Sequence, residues 1–388
     1  MSNLTIPKLF AELPFGTANN RLLSAISFGD SSSVDAFGRL RISIASTQLD
    51  SILQYGKLPL VWGESITGAG ANSVHLPNES AVLMTVGTVS GDKVIRQTHK
   101  YFRYQPAKSQ LISMTGVLGA PTANVRTRLG YFDANNGVFF QQSGDTLSVV
   151  LRSFVSGAVV DSVVPQTQWS LDMLDGTGRS KLLIDPSFAQ IFIMDLQWLG
   201  VGRVRMGLQI NGRLFYCHEF LNANKSATTY MTTANLPSRY EIETIGATVA
   251  GGSLKHICSS VSSEGGTELA SGRLFSKGNG VSPIGVTSRR PILTIRPRAL
   301  FNSIMNRGLI VPIGLQFRGI TNDAYFEVVK NGALANSSFS NVDANNSITE
   351  LDVAATSITG GQVLFGGFVS SGAGAISSIA SETIFPLS

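Results

Sequence analysis

Four histidines and two cysteines are the residues of this chain that could ligate a metal ion. Imidazole and thiolate are usual zinc ligands. Cys217 directly precedes His218, and His256 lies two positions before Cys258. Neighbouring residues on a strand point to opposite faces, so only one of Cys217 and His218 can join the second pair. We expect no metal site and two structural thiols; a disulfide is the less favoured alternative, because cytoplasmic proteins rarely keep one.

The acidic residues do not define a catalytic pair. Asp172 and Asp175 lie in SLDMLDGTGRS, a pattern that favours a turn in which the carboxylates accept backbone N–H groups. A calcium loop would need more oxygen ligands. A glycosidase needs two acids that flank a cleft, and five aspartates keep a polysaccharide hydrolase as a third hypothesis: Asp133, Asp145, Asp172, Asp175 and Asp195. We assign no catalytic residue and expect no enzyme.

A glycine-rich stretch at 200–207, GVGRVRMG, is the segment most similar to a phosphate-binding loop. It lacks the dinucleotide-binding spacing, and no helical pattern follows it. We therefore expect no nucleotide and no other cofactor.

The composition favours a strand-and-turn protein over a nucleic-acid or membrane protein. Of 388 residues, 43% are hydrophobic, only 14% are charged and 40 are glycine. The net charge of +5 is spread without a long basic run, so we expect no direct nucleic-acid contact. There is neither an apolar window of transmembrane length nor a secretory signal pattern. We expect synthesis in a cytoplasm and no membrane partner.

The turn signals predict an all-β fold. Asn-Gly pairs tolerate the positive φ values of a two-residue hairpin loop, and they recur at Asn136-Gly137, Asn211-Gly212 and Asn331-Gly332. Around the second pair, Leu208 should face Phe215 and Met206 should face Cys217 on one buried face, with Arg205 and His218 on the other. Many short strands between turns predict an antiparallel β-sandwich or jelly roll.

Three segments follow from the pattern along the chain. Residues 1–34 read as an N-terminal arm, either a disordered terminus or a segment that packs on a neighbouring subunit through Phe10 and Phe15. Residues 35–284 form the sandwich body, and 285–388 form a smaller β module after a composition shift near 278–283. Short helices are predicted at 303–307 and from Ala11 onward.

Two further groups of residues are predicted to make contacts between subunits. In a strand, Tyr101 and Arg103 would face outward, opposite Phe102 and Tyr104, and exposed Tyr and Arg suit an interface. The densest cluster of arginines predicts a solvated strand edge or inter-subunit ion pairs. It comprises Arg289, Arg290, Arg296 and Arg298.

The stretch VDAFGRLRIS at 34–43 has a pattern of its own. Asp35 can accept local backbone N–H groups, Gly38 permits a tight turn, and Leu40 and Ile42 alternate with arginines. The pattern predicts an entry turn followed by an amphipathic strand.

Over roughly residues 34–270 the chain resembles a family of virion structural proteins of tailed bacteriophages, described as head-associated or tail-fibre-like. The resemblance depends on co-linear blocks: VDAFGRLRIS, VGTVSGDKVIRQTHKYFRYQPAKSQLISMTGVLG, RLGYFDANNGVFFQQ, SLDMLDGTG, QWLGVGRVRMG, YCHEF, LPSRYEIE and CSSVSSEGG. It implies a virion component and assigns no catalytic residues.

Residues and resemblance together predict a non-enzymatic structural component of a phage particle, located in the virion. Its partners would be copies of itself in a symmetric oligomer, with a trimer favoured, and capsid or tail subunits. The alternative is a receptor- or glycan-binding fibre or spike module that contacts host surface glycan. That alternative predicts an exposed aromatic platform around Trp62 or Trp169.

Overall fold

The computed structural model describes residues 33–42, 44–266, 272–279 and 283–372, together with the backbone of 15–18, 21–24 and 377–380. Phe10 and the helix predicted from Ala11 lie outside these described residues. Phe15 begins the first strand, and only its backbone is described.

Short antiparallel strands build the described part of the chain up to residue 266. Single turns of 3₁₀-helix occur at Pro77–Glu79 and Gln166–Gln168. In chain order the strands are β1 (Phe15–Ala18), β2 (Arg21–Ser24), β3 (Ser46–Ile52), β4 (Trp62–Thr67), β5 (Asn72–Leu76), β6 (Ala81–Val86), β7 (Lys93–Thr98), β8 (Ser109–Val117), β9 (Thr122–Phe132), β10 (Gly137–Gly144), β11 (Thr146–Ser153), β12 (Val160–Pro165), β13 (Gln190–Leu196), β14 (Val204–Ile210), β15 (Arg213–Phe220), β16 (Ser238–Thr244) and β17 (Gly252–Glu264).

Two large sheets stack into a sandwich, which confirms the predicted all-β fold class. The seven-stranded sheet has the order β12-β11-β10-β9-β16-β7-β4. The eight-stranded sheet has the order β15-β14-β13-β8-β17-β6-β5, with β3 paired to β17. Side chains alternate along each strand, so one face of each sheet meets the other sheet. We call residues 34–266 the body; the predicted domain boundaries stay predictions.

One continuous core fills the space between the sheets. Leu129 and Phe140 come from the seven-stranded sheet, and Met114 and Phe192 come from the eight-stranded sheet. Tyr240 crosses the layer, and its hydroxyl donates to the carbonyl oxygens of strands β8 and β17 at 3.0 Å. The two sheets are therefore joined by apolar packing and by hydrogen bonds.

The hairpin at Asn211-Gly212 forms as predicted. Both residues have positive φ, 50° and 78°, and Leu208 pairs with Phe215. The predicted pairing of Met206 with Cys217 is wrong, because a bulge adds a residue to β15 and Met206 pairs with His218. Arg205 lies opposite Glu219 instead of sharing the predicted face with His218. The buried face is confirmed, since Met206, Leu208 and Cys217 are inaccessible.

The other two Asn-Gly pairs behave differently from a two-residue hairpin loop. At Asn136-Gly137 a hairpin does form between β9 and β10, but only the glycine has positive φ. Its longer loop is held by Asp133, whose carboxylate accepts the N–H groups of Asn135 and Asn136 at 2.8 Å. The Asp133 side chain thus stabilises this loop, and Asn136 does not adopt the left-handed conformation that the pattern predicted.

Residues 283–372 and the strand at 377–380, which together we call the C-terminal region, form small sheets only in the part that the structure describes. Their strands, with the last one described by its backbone, are β18 (Thr294–Pro297), β19 (Leu300–Phe301), β20 (Ile304–Met305), β21 (Gly314–Phe317), β22 (Ala324–Lys330), β23 (Ala333–Ala335), β24 (Ser340–Asn341), β25 (Thr349–Asp352), β26 (Ser357–Thr359), β27 (Gln362–Val369) and β28 (Ser377–Ala380). Within this region the described strands pair in twos and in one set of three.

Two predictions for this region are wrong. The segment 303–307 is not a helix, because β19 and β20 form a small hairpin whose turn has left-handed Asn302 and Ser303. Asn331-Gly332 is not a hairpin loop either. It interrupts a long ribbon in which β22 and β23 pair with β27 and β26, and it lies opposite Gly360-Gly361. A Cβ on Gly361 would come within 2.8 Å of Gly332, so this irregularity requires glycine.

Candidate functional site

The C-terminal region exposes apolar side chains that are large for a protein surface. In the β22–β27 ribbon, Tyr325 pairs with Phe368 in register, and the two rings lie 5.3 Å apart. Their exposed fractions are 58% and 78%. Other exposed apolar residues of this region are Val286, Ile295, Leu300, Ile304, Met305, Leu309, Ile313, Ile320, Val353, Val363 and Leu364. We call Tyr325, Phe368, Val363 and Leu364 the ribbon patch.

The opposite face of the same ribbon has a small aromatic cluster. Phe326 stacks on Phe317 at a centroid distance of 4.8 Å and lies 5.9 Å from Phe365. Among the described residues of this region, the buried apolar side chains are Leu351, Ala355 and Val369. Isolated two-stranded ribbons are marginally stable in water. The described part of the C-terminal region therefore buries too few apolar side chains to stabilise its fold by itself.

One ion pair ties this region to the body. Arg307 donates to the carboxylate of Asp133 at 2.6 Å, and both side chains are largely buried. The Arg307 guanidinium also lies 5.6 Å from the centre of the Tyr101 ring. Burial raises the pKa of Tyr101, and the nearby Asp133 charge adds to this effect. Tyr101, predicted to contact another subunit, thus makes an intrachain contact here.

The predicted alternation of side chains between two faces around Tyr101 is confirmed by their burial. Phe102 and Tyr104 are buried, whereas Tyr101 and Arg103 are half-buried on the other side. Phe102 makes a single bridge to Leu236, so the segment lies outside the regular strands. As inter-subunit contacts, Tyr101 and Arg103 remain predictions.

The arginine cluster near residue 290 makes intrachain contacts. Arg289 pairs with Glu327 at 2.8 Å, and Arg290 donates to the carbonyl oxygen of Ala355 at 3.0 Å. Arg296 pairs with Glu350 at 2.8 Å. These cations link strands of the C-terminal region to one another, and an additional role between subunits stays a prediction.

The segment 33–42, which we call the strap, is fixed by charge to the eight-stranded sheet. Asp35 closes its turn by accepting the N–H groups of Phe37 and Arg39 at 2.9 Å, and Gly38 has a φ of 79°, as predicted. The predicted amphipathic strand is wrong: the next strand begins at Ser46, and Ile42 is 85% exposed. Arg41 of the strap makes the charged contacts with this sheet, and the strap residues Val34 and Ala36 are buried.

These charged contacts belong to a buried network around Asp195. Arg41 of the strap contacts Asp195 and pairs with Glu264 at 2.8 Å. Arg205 pairs with Asp195 at 2.5 Å and donates to the carbonyl oxygen of Val34 at 2.7 Å. Burial raises the pKa of Tyr216, as does Asp195, so its neutral hydroxyl donates to that carboxylate. A buried charge requires such partners.

The outer face of the seven-stranded sheet has a layer of paired charges that sequence reasoning missed. Arg128 donates to Glu241 at 2.9 Å, and Arg126 to Glu243 at 2.6 Å. Burial alone would raise the pKa of Glu241, but Arg239, Arg128 and Lys93 outweigh it and lower the pKa to about 2. The available signal was the alternation of charged residues along β9 and β16. The layer covers a small apolar cluster: Phe132, Phe139 and Val150.

The candidate metal and catalytic residues do not come together. Within the described ranges, no three His, Cys, Asp or Glu side chains are arranged to hold a metal ion. Cys217 and Cys258 are free thiols. Asp172 accepts the N–H groups of Leu174 and Ser180 at 3.0 and 2.7 Å, so the predicted turn is confirmed.

The predicted aromatic platform is wrong. Trp62 is 2% exposed and Trp169 is 5% exposed, because both rings pack into the core of the sandwich. Trp62 lies against His256, with ring centres 4.4 Å apart, and its indole N–H donates to Ser51 at 2.8 Å. A tryptophan with both a core contact and a hydrogen bond is an internal residue, and its sequence context did not reveal this. In the part of the chain that the structure describes, no helix has the length and apolarity needed to cross a membrane.

No protein-family model matches this chain, and no curated protein does. Solved structures show a distant likeness. The binding domain of botulinum neurotoxin serotype G has a TM-score of 0.34 and 11% identity, over 56% of this chain and 47% of that one. The receptor binding domain of botulinum neurotoxin D has a TM-score of 0.33 and 14% identity, over 55% and 49%. The Bacillus licheniformis beta-glucanase has a TM-score of 0.35 and 8% identity, over 57% and 98%.

The chain spans about half the length of the two neurotoxin domains. At such identities and TM-scores the likenesses carry no conclusion about binding or catalysis.

Proposed function

We propose that this chain is a non-enzymatic structural protein of a tailed-bacteriophage particle, and that it assembles as a symmetric oligomer through its C-terminal region. The observation that carries the proposal is the ribbon patch, together with the other exposed apolar side chains of 283–372. Large exposed apolar side chains in such number favour a protein interface. Copies of the same ribbon, related by symmetry, would bury it in one repeated contact.

The blocks that resemble virion structural proteins support the particle assignment. These blocks include the strap. Arg41 contacts Asp195, and Arg205 donates to the carbonyl oxygen of Val34, so both arginines hold the strap on the sheet. The N-terminal arm precedes the strap in the sequence, and it would contact a neighbouring subunit. A trimer is the oligomer we expect, in agreement with closed symmetry.

Sedimentation equilibrium of the full chain tests the oligomer. We expect a symmetric oligomer for the natural sequence and at least about tenfold weaker association for Phe368→Asp, because a carboxylate in an apolar interface is costly. Val249→Asp is the matched control, since Val249 is fully exposed on the body. A natural chain that is monomeric at every concentration, or equal effects of the two substitutions, would contradict the proposal.

Immunogold electron microscopy of intact particles, with antibody to residues 285–388, tests the location. Regular label on the head identifies a capsid decoration or head-fibre protein, and label confined to the tail identifies a tail component. Particles that carry no label, although denatured particles react in a blot, would place the chain inside the particle and refute the proposed exposed position. A purified particle without the chain refutes the virion role.

A further inference from the structure

Strand β12 forms one edge of the seven-stranded sheet, with β11 as its neighbour on one side. Its sequence is Val-Asp-Ser-Val-Val-Pro. Val160 and Val163 are 52% and 48% exposed, and Ser162 between them is also exposed. An exposed edge strand that is rich in β-branched residues is a template for a strand of another chain.

The other three end strands of the two large sheets are better protected. At β15, the carbonyl oxygen of Cys217 accepts the N–H groups of residues 171–172 at 3.0 and 3.1 Å. At β5, the carbonyl oxygen of Ser73 accepts from the Lys57 ammonium at 2.8 Å. Strand β4 has the charged residue Glu64, which pairs with the same lysine at 2.9 Å. Contacts and charges of this kind hinder edge-to-edge pairing, and β12 has fewer of them.

Strand register shows which backbone groups of β12 point away from the sheet. The two-residue loop 144–145 closes the β10–β11 hairpin at the hydrogen-bonded pair Ser143 and Thr146. Backbone groups alternate in direction along a strand, so the odd-numbered residues of β11 face β12 and pair there with even-numbered residues. The N–H and C=O groups of Asp161 and Val163 therefore point outward, and they have no partner in the described part of the chain.

The single charged residue of β12 is neutralised within its own chain. Arg152 on β11 donates from Nε and Nη2 to the two carboxylate oxygens of Asp161, at 2.8 Å each. The edge therefore presents valines, a serine and open backbone groups without an uncompensated charge. A complementary strand must be nearly neutral as well, and a second copy of β12 meets this condition.

We propose that β12 pairs with β12 of a second copy of this chain, antiparallel about a twofold axis at Ser162. In this register Asp161 of one copy lies opposite Val163 of the other, and each such pair exchanges two N–H···O bonds through its outward groups. An axis at Asp161 would instead place two carboxylates opposite each other. An axis at Val163 would place Asp161 opposite Pro165, which has no N–H.

This contact joins two seven-stranded sheets into one continuous sheet. It is isologous, because both copies contribute the same strand. It uses residues of the body alone and none of the ribbon patch. It therefore goes beyond the proposed oligomer and would join one oligomer to the next.

Sedimentation velocity of the full chain with Phe368→Asp tests the edge contact apart from the ribbon patch. We expect a weak monomer–dimer equilibrium, since two short strands bury less than the roughly 1,200–2,000 Å² of a stable interface. Adding Val163→Asp should weaken the dimer about tenfold, because symmetry places like charges opposite each other twice. Val163→Lys should not weaken it, because its ammonium lies opposite Asp161 of the other copy. Val74→Asp is the matched control and should have no effect, since Val74 is 44% exposed on the edge strand β5.

Amide hydrogen exchange, resolved by residue in NMR spectra of the Phe368→Asp chain, tests the backbone pairing. The amides of Asp161 and Val163 should exchange more slowly as the protein concentration rises. The amide of Ser162 faces β11 and should not change. Val163→Pro removes one outward N–H and no bond within the sheet, so it should weaken the dimer even if the aspartate variant does not fold. Circular dichroism verifies the fold of each variant.

Three results would overturn the inference. The first is a Phe368→Asp chain that is monomeric at every concentration, and the second is equal weakening by Val163→Asp and Val163→Lys. The third is exchange at Asp161 and Val163 that does not depend on concentration. None of them alters the difference between the natural chain and Phe368→Asp, so failure here is distinguishable from failure of the proposed function.

Discussion

The body and the C-terminal region are both built from antiparallel strands, yet they place their apolar side chains differently. In the body, two sheets stack face to face, and residues such as Phe140 and Phe192 meet between them at 4.9 Å. In the described part of the C-terminal region, the ribbons of two or three strands have no second large sheet over them, and Phe368 is 78% exposed. A strand pattern alone does not bury its apolar face; a second layer does.

The difference also extends to charge. The body contains buried ion pairs, such as Arg128–Glu241, where the two side chains are 6% and 1% exposed. The pairs of the C-terminal region are open to water, as in Arg289–Glu327, at 50% and 24%. Buried pairs are costly to break, whereas exposed pairs contribute little. The body should therefore be stable as a single chain, and the C-terminal region should depend on its neighbours.

Substitution of matched phenylalanines should give the largest contrast. Phe140→Ala leaves a cavity between the sheets and should lower the free energy of unfolding by about 3–5 kcal/mol. Phe368→Ala removes an exposed ring and should change it by no more than about 0.5 kcal/mol in the dissociated chain. Urea unfolding at low protein concentration measures both values. Similar losses of unfolding free energy in the two variants would contradict the difference in core packing between the body and the C-terminal region.

Removal of one carboxylate from each kind of ion pair sharpens the contrast in charge. Glu241→Gln leaves Arg128, Arg239 and Lys93 without their shared partner and should cost about 3 kcal/mol. Glu327→Gln, the exposed counterpart, should cost less than about 1 kcal/mol. Because the pKa of Glu241 is lowered to about 2 from 4.5, its contribution is complete above pH 4.5 and is lost as the pH falls toward 2. Acid unfolding curves of the natural and Glu241→Gln chains should therefore converge at low pH.

Mild acid should weaken the body through His256. Burial and the nearby Arg96 hold the pKa of this imidazole well below 6.5, and it stacks on Tyr240 at 3.9 Å. Below pH 6.5 the unfolded chain takes up a proton that the folded chain does not, so stability falls by up to about 1.4 kcal/mol per pH unit.

Burial also lowers the pKa of His218, so this residue adds to the dependence of stability on pH. Chemical denaturation between pH 7.5 and about 5 should show a smaller slope for His256→Gln than for the natural chain. The His218→Gln variant gives the second contribution separately. An unchanged slope in His256→Gln would contradict a neutral buried imidazole.

The Arg307–Asp133 pair should control how firmly the two regions are joined. Asp133 keeps its two backbone hydrogen bonds when the arginine is lost, so Arg307→Gln should destabilise by only about 1–2 kcal/mol. Limited proteolysis should then cleave the C-terminal region faster and leave the body intact. Arg318→Gln is the control, and equal cleavage rates would show that the pair does not link the regions.

Much of the body could be predicted because its signals are local. The Asn211-Gly212 turn, the alternation of Leu208 with its neighbours and the Asx turn at Asp172 each depend on a few adjacent residues. The bulge at Cys217 could not be predicted, since it depends on the partner strand. For the candidate interface, the sequence predicted the C-terminal region but not the residues of the ribbon patch. The exposure of an apolar side chain on a strand depends on whether a second sheet covers that strand.

The amino-acid sequence by itself determined the strand-and-turn class and the hairpin turn at Asn211-Gly212. These properties follow from backbone preferences and the period of two along a strand. Only the tertiary structure decided that Trp62 is internal and that Arg41 anchors the strap on Asp195. Each of these depends on which distant strands become neighbours, and no local pattern encodes that choice.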